Sequence, residues 1–237
     1  PTTTYETAEE TEKTEVSGVI EIPTNLNVSI QTNAAKTQYD DLVIENLRGN
    51  ILIQNGSLKL SNGTLGIIGA TAKMEAVYKN EGTQKAYFDY KINASEFDIK
   101  RAYNEIKMFR EIVTAAESAE GIVGLNYSIK GVLNNQMEPV MPSLEGSGTL
   151  SVKKVKMKGF KLLNVVSSKT ENPDIKDPDI SKVDIKTTIK NNIVTIERFK
   201  FKVAGFRLRF EGQTSLDGKL NLKMRIGLPP LGILGIP

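Results

Sequence analysis

The strongest constraint on this chain is an alternation of apolar and charged residues that changes phase part-way. Residues 199–212, FKFKVAGFRLRFEG, put Phe199, Phe201 and Val203 at odd positions and Phe206, Leu208 and Phe210 at even ones, with the change at Ala204-Gly205. Side chains along a strand point alternately to opposite faces. The segment therefore paints one sheet face with Phe, Val and Leu and the other with Lys and Arg. A Gly-bearing bulge or tight corner at the break resets which parity is apolar.

The same period recurs elsewhere. Leu26, Val28 and Ile30 alternate over residues 25–31. Residues 42–95 read as a meander of strands punctuated by Asn55-Gly56, Asn62-Gly63, Gly69 and Asn80-Glu81-Gly82. Asn-Gly between alternating runs is a hairpin signal, because both residues accept positive φ. Then the period becomes helical. Ile99, Ala102, Tyr103, Ile106, Phe109, Ile112, Val113 and Ala116 share one face of an amphipathic helix over about 98–119. Ser95 or Asp98 can cap its start and Gly121 can end it. Strands resume at 121–131 and 148–159, a short helix is expected over 160–168, and further strands close the chain after a polar loop.

An internal repeat organises these elements. Residues 51–90 overlie 187–226 without gaps at an offset of 136. Ile53 meets Ile189, Asn55 meets Asn191, Leu58 meets Val194, Gly69 meets Gly205, Glu75 meets Glu211 and Gly82 meets Gly218. Few pairs are identical, but apolar phase and turn residues agree. The expected fold is therefore β-rich α+β. Two long antiparallel β-meanders, about 43–95 and 180–227, form a curved sheet or trough with one long amphipathic helix and one short helix. Residues 1–17, polar and rich in Thr and Glu, read as a disordered lead-in or linker, and 18–237 as one β-rich domain. The polar start and the apolar GLPPLGILGIP end both look like cuts in a longer protein.

Composition narrows the chemistry. The 237 residues include no Cys, His or Trp. That removes thiolate nucleophiles, zinc-thiolate sites, imidazole bases and any Ser-His-Asp triad. Lys and Arg number 31 against 28 Asp and Glu, a net charge of +3. No dense basic cluster interleaves with stacking aromatics, so nucleic acid is not an expected partner. No stretch reaches the ~18–20 apolar residues of a membrane span. Glu171, Asp174, Asp177, Asp179 and Asp184 cluster in sequence, but not at the spacing of a calcium loop. Ser151 with Lys153 reads as an exposed alternating pair. No catalytic residue, cofactor or metal site is assigned, and the chain is expected not to be an enzyme. A carbohydrate-active reading is disfavoured by the absence of Trp and by aromatics at 6%.

Several segments together resemble the C-terminal region of AsmA-like proteins of the Gram-negative cell envelope. They are IPTNLNVSIQTNAAKTQYDDLVIENLRGNILIQNGSLKLSNGTLGIIGATAKMEAVY, the helix-bearing FDIKRAYNEIKMFREIVTAAESAEGIVGLNYSIKG, the Gly-rich LEGSGTLSVKKVKMKGFKLLNVVS and the closing IKNNIVTIERFKFKVAGFRLRFEGQTSLDGKLNLKMRIGLP. The resemblance spans residues 18–237. It implies a periplasmic protein tied to outer-membrane biogenesis, held at the inner or outer membrane by an anchor that this sequence lacks. Related long proteins (TamB-like and bridge-like lipid carriers) form apolar-lined troughs of sheet along which lipid chains are thought to pass. The expected partners are phospholipid or another envelope lipid, the membrane itself through that anchor, and envelope proteins.

The apolar face is the candidate site. In the first unit it comprises Leu58, Leu60, Ile67, Ala72, Met74 and Phe88. In the second it comprises Val194, Ile196, Phe199, Phe201, Val203, Phe206, Leu208, Phe210, Leu222, Met224 and Ile226. One reading is a core covered by the helix. The other is a groove that holds acyl chains, because one helix can hardly cover every strand of both meanders. An alternative function is a periplasmic scaffold that assists outer-membrane protein assembly through exposed strand edges. The basic residues Lys153, Lys154, Lys156, Lys158, Lys161, Lys200, Lys202, Arg207 and Arg209 read as a solvated outer face, or as attraction to anionic headgroups.

Overall fold

Among the described residues eleven strands form one antiparallel sheet in strict chain order. The structure is a computed structural model that describes residues 18–39, 42–203, 205–216 and 219–227. The expected lead-in at 1–17 and the apolar end at 228–237 lie outside the described residues. The first five strands are β1 (Asn27–Tyr39), β2 (Leu42–Gln54), β3 (Ser57–Ile67), β4 (Ala70–Glu81) and β5 (Lys85–Asp98). The rest are β6 (Ala119–Leu133), β7 (Glu145–Met157), β8 (Asp179–Lys190), β9 (Ile193–Val203), β10 (Phe206–Ser215) and β11 (Leu220–Gly227). Among the described residues each strand packs only beside its sequence neighbours, so the curved sheet stays open, with β1 and β11 as its edges.

The phase change of the sequence is a hairpin and not a bulge. Val203 pairs with Phe206, Phe201 with Leu208 and Phe199 with Phe210. A two-residue loop joins position i to i+3, so apolar residues of odd parity on β9 face those of even parity on β10. The equivalent hairpin pairs Ile67 with Ala70 around Ile68 (φ 49°) and Gly69 (φ 77°). Both residues have the positive φ that a twist-matched two-residue turn requires. Ile68 tolerates this conformation, unfavourable for a β-branched residue, with its side chain buried in the core. Asn55-Gly56 closes β2 to β3 as expected. Asn62-Gly63 does not turn the chain. It is a bulge inside β3, where the partner of Leu60 is Ala76 and that of Gly63 is Met74.

The repeat is visible in the backbone. Adding 136 to the bounds of β3 gives those of β9, and Ala70, the start of β4, maps to Phe206, the start of β10. The bulge recurs in the same place, where Ile196 pairs with Gly212 and Phe199 with Phe210. The left-handed residues Asn46 and Asn55 (φ 50° and 51°) map onto Lys182 and Asn191 (φ 55° and 52°).

The stretch expected as one long helix is helical in pieces: α1 (Ile99–Glu105), α2 (Lys107–Ile112) and a 3-10 turn at Thr114–Ser118. Asp98 caps α1 by accepting from the Arg101 amide at 2.9 Å. Ile106 then adopts an extended conformation (φ −115°, ψ 101°) and breaks the cylinder. The Arg110 guanidinium satisfies carbonyls freed at the break, donating to Tyr103 O at 3.3 Å and Asn104 O at 3.1 Å. Of the side chains that the periodicity selected, Ile99, Ala102, Phe109 and Ala116 are buried and Tyr103, Ile106, Ile112 and Val113 are half-buried, with Phe109 edge-on to Phe97 at 6.0 Å. The short helix is α3 (Lys161–Thr170), which buries Leu163 and Val166.

Two apolar clusters lie on one face of the sheet. The larger joins the ends of the strands to α1, α2 and α3 through Leu65, Phe97, Val123, Val155, Ile175 and Leu208. The smaller packs Val19 and Ile22 of the entering chain and Leu144 of the β6–β7 connection onto Tyr78, Phe88 and Ile189. Leu208 is fully buried, whereas its register partner Ile226 is 38% exposed. Leu208→Ala is expected to lower stability by about 2–5 kcal/mol in urea unfolding, and Ile226→Ala by far less.

Candidate functional site: the apolar face of the sheet

Strand register decides which predicted residues share a face. Met74 pairs with Ile92, Ile92 with Tyr127, Tyr127 with Gly148, Gly148 with Thr187 and Thr187 with Ile196. From Ile196 the row runs on through Gly212 to Leu222. The two units therefore present their apolar residues to the same side of one continuous sheet. Burial separates those residues into two groups. Leu60, Phe88, Val194, Val203, Leu208 and Phe210 are buried and belong to the packed core, so they offer no surface to a ligand. Leu58, Ile67, Met74, Ile196, Phe199, Phe201, Phe206, Leu222 and Met224 are half-buried: Leu58 packs against the smaller cluster, Ile67, Met74, Phe199, Phe201, Phe206 and Met224 pack against the larger, and each keeps part of its surface as lining.

α1 and α2 cover the middle strands, and the larger cluster runs on from α3 to Val183, Val203 and Leu208 of β8, β9 and β10. α1 packs on β5 and β6. α2 sends Met108 and Ile112 toward the second cluster, and the Lys107 ammonium meets the Glu138 carboxylate of the β6–β7 connection. This ion pair clasps the helical cover to a loop from the opposite end of the strands. Its hydrogen bond to Lys107, helped by one from Asn134, holds the Glu138 carboxyl below its usual range. The same contact raises Lys107.

Beyond the clasp, the Gly-rich strand β7 shapes the floor. The Tyr127 ring of β6 lies across Gly148, and its hydroxyl shares a 3.0 Å hydrogen bond with the Thr187 hydroxyl of β8. A Cβ at Gly148 would come within 2.4 Å of that ring and 2.3 Å of the Asn126 carbonyl. Burial pushes the Tyr127 hydroxyl up in pKa, against its bond to Thr187. Alternation carries no sign of this lateral contact, because it joins strands two apart.

Toward both edges the apolar face is open. Val28 and Ile30 of β1, in register with Ile53 and Ile51, are 38% and 43% exposed. At the other edge the half-buried Leu222 and Met224 of β11 flank the Phe199–Phe210 pair, whose rings lie 5.3 Å apart.

The other sequence candidates are not brought together. Ser151 Oγ lies 2.6 Å from Asp184, its cross-strand neighbour, and donates there and not toward Lys153. Asp177 accepts from the Gly159 amide at 2.9 Å. Among the described residues no group of three acidic side chains converges as a metal site, and no helix is long and apolar enough to cross a membrane. No protein-family model, curated protein or solved structure matches the chain.

Gly148→Ala is expected to cost about 1–3 kcal/mol in urea unfolding, the usual penalty for forcing volume into a packed site. The clasp carries a pH signature. Because the folded pKa of Glu138 is lowered, its stabilisation is present above the ordinary carboxylate range and is lost as pH falls through the lowered value. Amides of residues 134–144, corrected for intrinsic exchange, should lose hydrogen-exchange protection over that fall. Glu138→Gln should reproduce the loss at neutral pH.

Proposed function

We propose that this chain is a non-enzymatic, lipid-holding segment of a cell-envelope protein of the AsmA-like kind, acting in the periplasm in outer-membrane biogenesis. The observation that carries this reading is an apolar face that continues across all eleven strands and is left exposed or half-covered on the edge strands β1 and β11. Half-buried Phe, Leu and Met side chains near β11, and exposed Val and Ile on β1, form a surface suited to acyl chains. Contiguous exposed apolar area of this kind marks an interaction surface. Charged residues alternate onto the opposite face, so the strands stay hydrated outside while the trough stays dry. The resemblance to AsmA-like proteins supports the envelope setting.

A second reading has its own observation. The outer edge of β1 is thirteen residues long, carries a single Lys and no Pro, and has no strand beside it among the described residues. Such an edge invites strand addition by another protein, as an assembly scaffold requires.

Native mass spectrometry with lipid extraction separates the two. The trough reading expects phospholipid to co-purify at reproducible stoichiometry from a Gram-negative host. Phe199→Asp and Met224→Asp, both at half-buried positions, should abolish it while thermal melts show a folded protein. Lys200→Ala should leave it unchanged. Folded Asp variants that retain the same lipid, or a wild-type chain that never takes up phospholipid, would sink the trough and favour the scaffold.

A further inference from the structure

The outward face of β9, β10 and β11 concentrates positive charge in register. Lys202 pairs with Arg207, Lys200 with Arg209 and Arg209 with Arg225. Like charges placed directly opposite each other destabilise a sheet, so the arrangement works against folding. Residues 193–227 hold eight Lys and Arg against three Asp and Glu, a net +5 in a chain whose total is +3. The Glu211 carboxylate beside the ladder is occupied by Arg198, whose Nε and Nη2 donate at 2.7 and 3.1 Å, and Glu197 lies in the bulge of β9. Among the described residues Lys200, Lys202, Arg207 and Arg209 make no ion pair.

The repeat supplies an internal control. At the offset of 136, Lys200, Lys202, Arg207 and Arg225 correspond to Thr64, Gly66, Thr71 and Asp89. The first unit builds the same turns, strand bounds and bulge with only Lys73, the counterpart of Arg209, left of this charge, so the fold does not need the full ladder. The charge also surrounds a concavity. A depression of about 500 Å³ is lined by Lys202, Arg207, Arg209 and Arg225, with Gly205 and Gly227 opening the space between them.

We propose that this depression and its cationic ladder seat the phosphate headgroups of an anionic phospholipid bilayer. The choice of a bilayer rests on the lipid-handling reading above. The charge-driven docking is separate from the acyl trough and is tested separately. Nucleic acid is disfavoured because the aromatic rings of this hairpin, Phe199, Phe201, Phe206 and Phe210, all lie on the opposite face and leave none for base stacking. Basic groups near an anionic surface add attraction that decays within a Debye length.

The test is co-sedimentation of the whole chain with phosphatidylcholine vesicles made with and without phosphatidylglycerol. Binding is expected only with phosphatidylglycerol and should fall as salt rises. The combined Lys200→Gln, Lys202→Gln, Arg207→Gln and Arg209→Gln variant should bind about a hundredfold more weakly or worse. It should melt no lower than wild type, because like-charge repulsion is relieved, and should keep any co-purified lipid. Lys73→Gln, the first-unit counterpart of Arg209, should bind as wild type does. Equal binding to neutral vesicles, or undiminished binding by a folded quadruple variant, would overturn the proposal. So would release by inorganic phosphate at a concentration matched to exposed lipid phosphate, or by a single-stranded RNA of equal phosphate content. The first would mark a free-anion site and the second a polyanion site.

Discussion

Each two-residue hairpin in this sheet must return the chain with its apolar side chains on the face they left. Because such a loop joins i to i+3, parity changes across every one of them, and the sequence must change phase in step. Ile67 and Ala70, and Val203 and Phe206, meet this condition. A one-residue error would throw a whole strand's apolar set to solvent. The bulges at Leu60/Gly63 and Ile196/Phe199 are the compensating case: each inserts a residue and resets the phase within a strand. Turns and bulges together keep one face apolar from Val28 to Met224.

That continuity creates the sheet's main tension. A face eleven strands wide needs cover, and the chain supplies it in short pieces. Breaking the helical stretch at Ile106 lets α1 follow β5 and β6 while α2 reaches the 134–144 connection through Lys107 and Glu138. A straight cylinder would hold one direction across a curved floor. The pieces follow the curve, and the cost of the break is offset by Arg110 bonding the freed carbonyls. What they leave is apolar surface exposed on β1 and half-covered toward β11, where Met224 meets the rim of the larger cluster.

Local chemistry was legible in the sequence, and long-range placement was not. Alternation located the strands, Asn55-Gly56 located a turn, and the offset of 136 located the repeat down to strand bounds. Asn62-Gly63 misled because a bulge and a turn ask for the same left-handed backbone, and only pairing with Met74 tells them apart. Periodicity chose the buried face of the 98–119 stretch correctly but carried no sign of the extended Ile106, since the apolar spacing continues through it. The division of the apolar face into core and lining was also hidden. Leu208 and Phe206 look alike in the pattern, yet Leu208 is fully buried inside the larger cluster and Phe206 is only half-buried against it.

The two faces of the β9–β10 hairpin belong to one physical argument. Period-two geometry allows a strand to carry one chemistry inward and another outward at no cost in backbone conformation. Phe199, Phe201, Phe206 and Phe210 point one way, and Lys200, Lys202, Arg207 and Arg209 the other, from the same fourteen-residue stretch with which the alternation was first recognised. The first unit uses the same geometry but carries Thr64, Gly66 and Thr71 outward, with Lys73 the one cation kept among these four places. Stability alone would favour that less charged choice in both units, since opposed cations repel across the ladder. The difference between the two units is therefore the part of the second hairpin that folding does not account for. It lies on the strands that also present open apolar surface, so an acyl-binding face and a phosphate-binding face would be held one sheet thickness apart by the same backbone ladder.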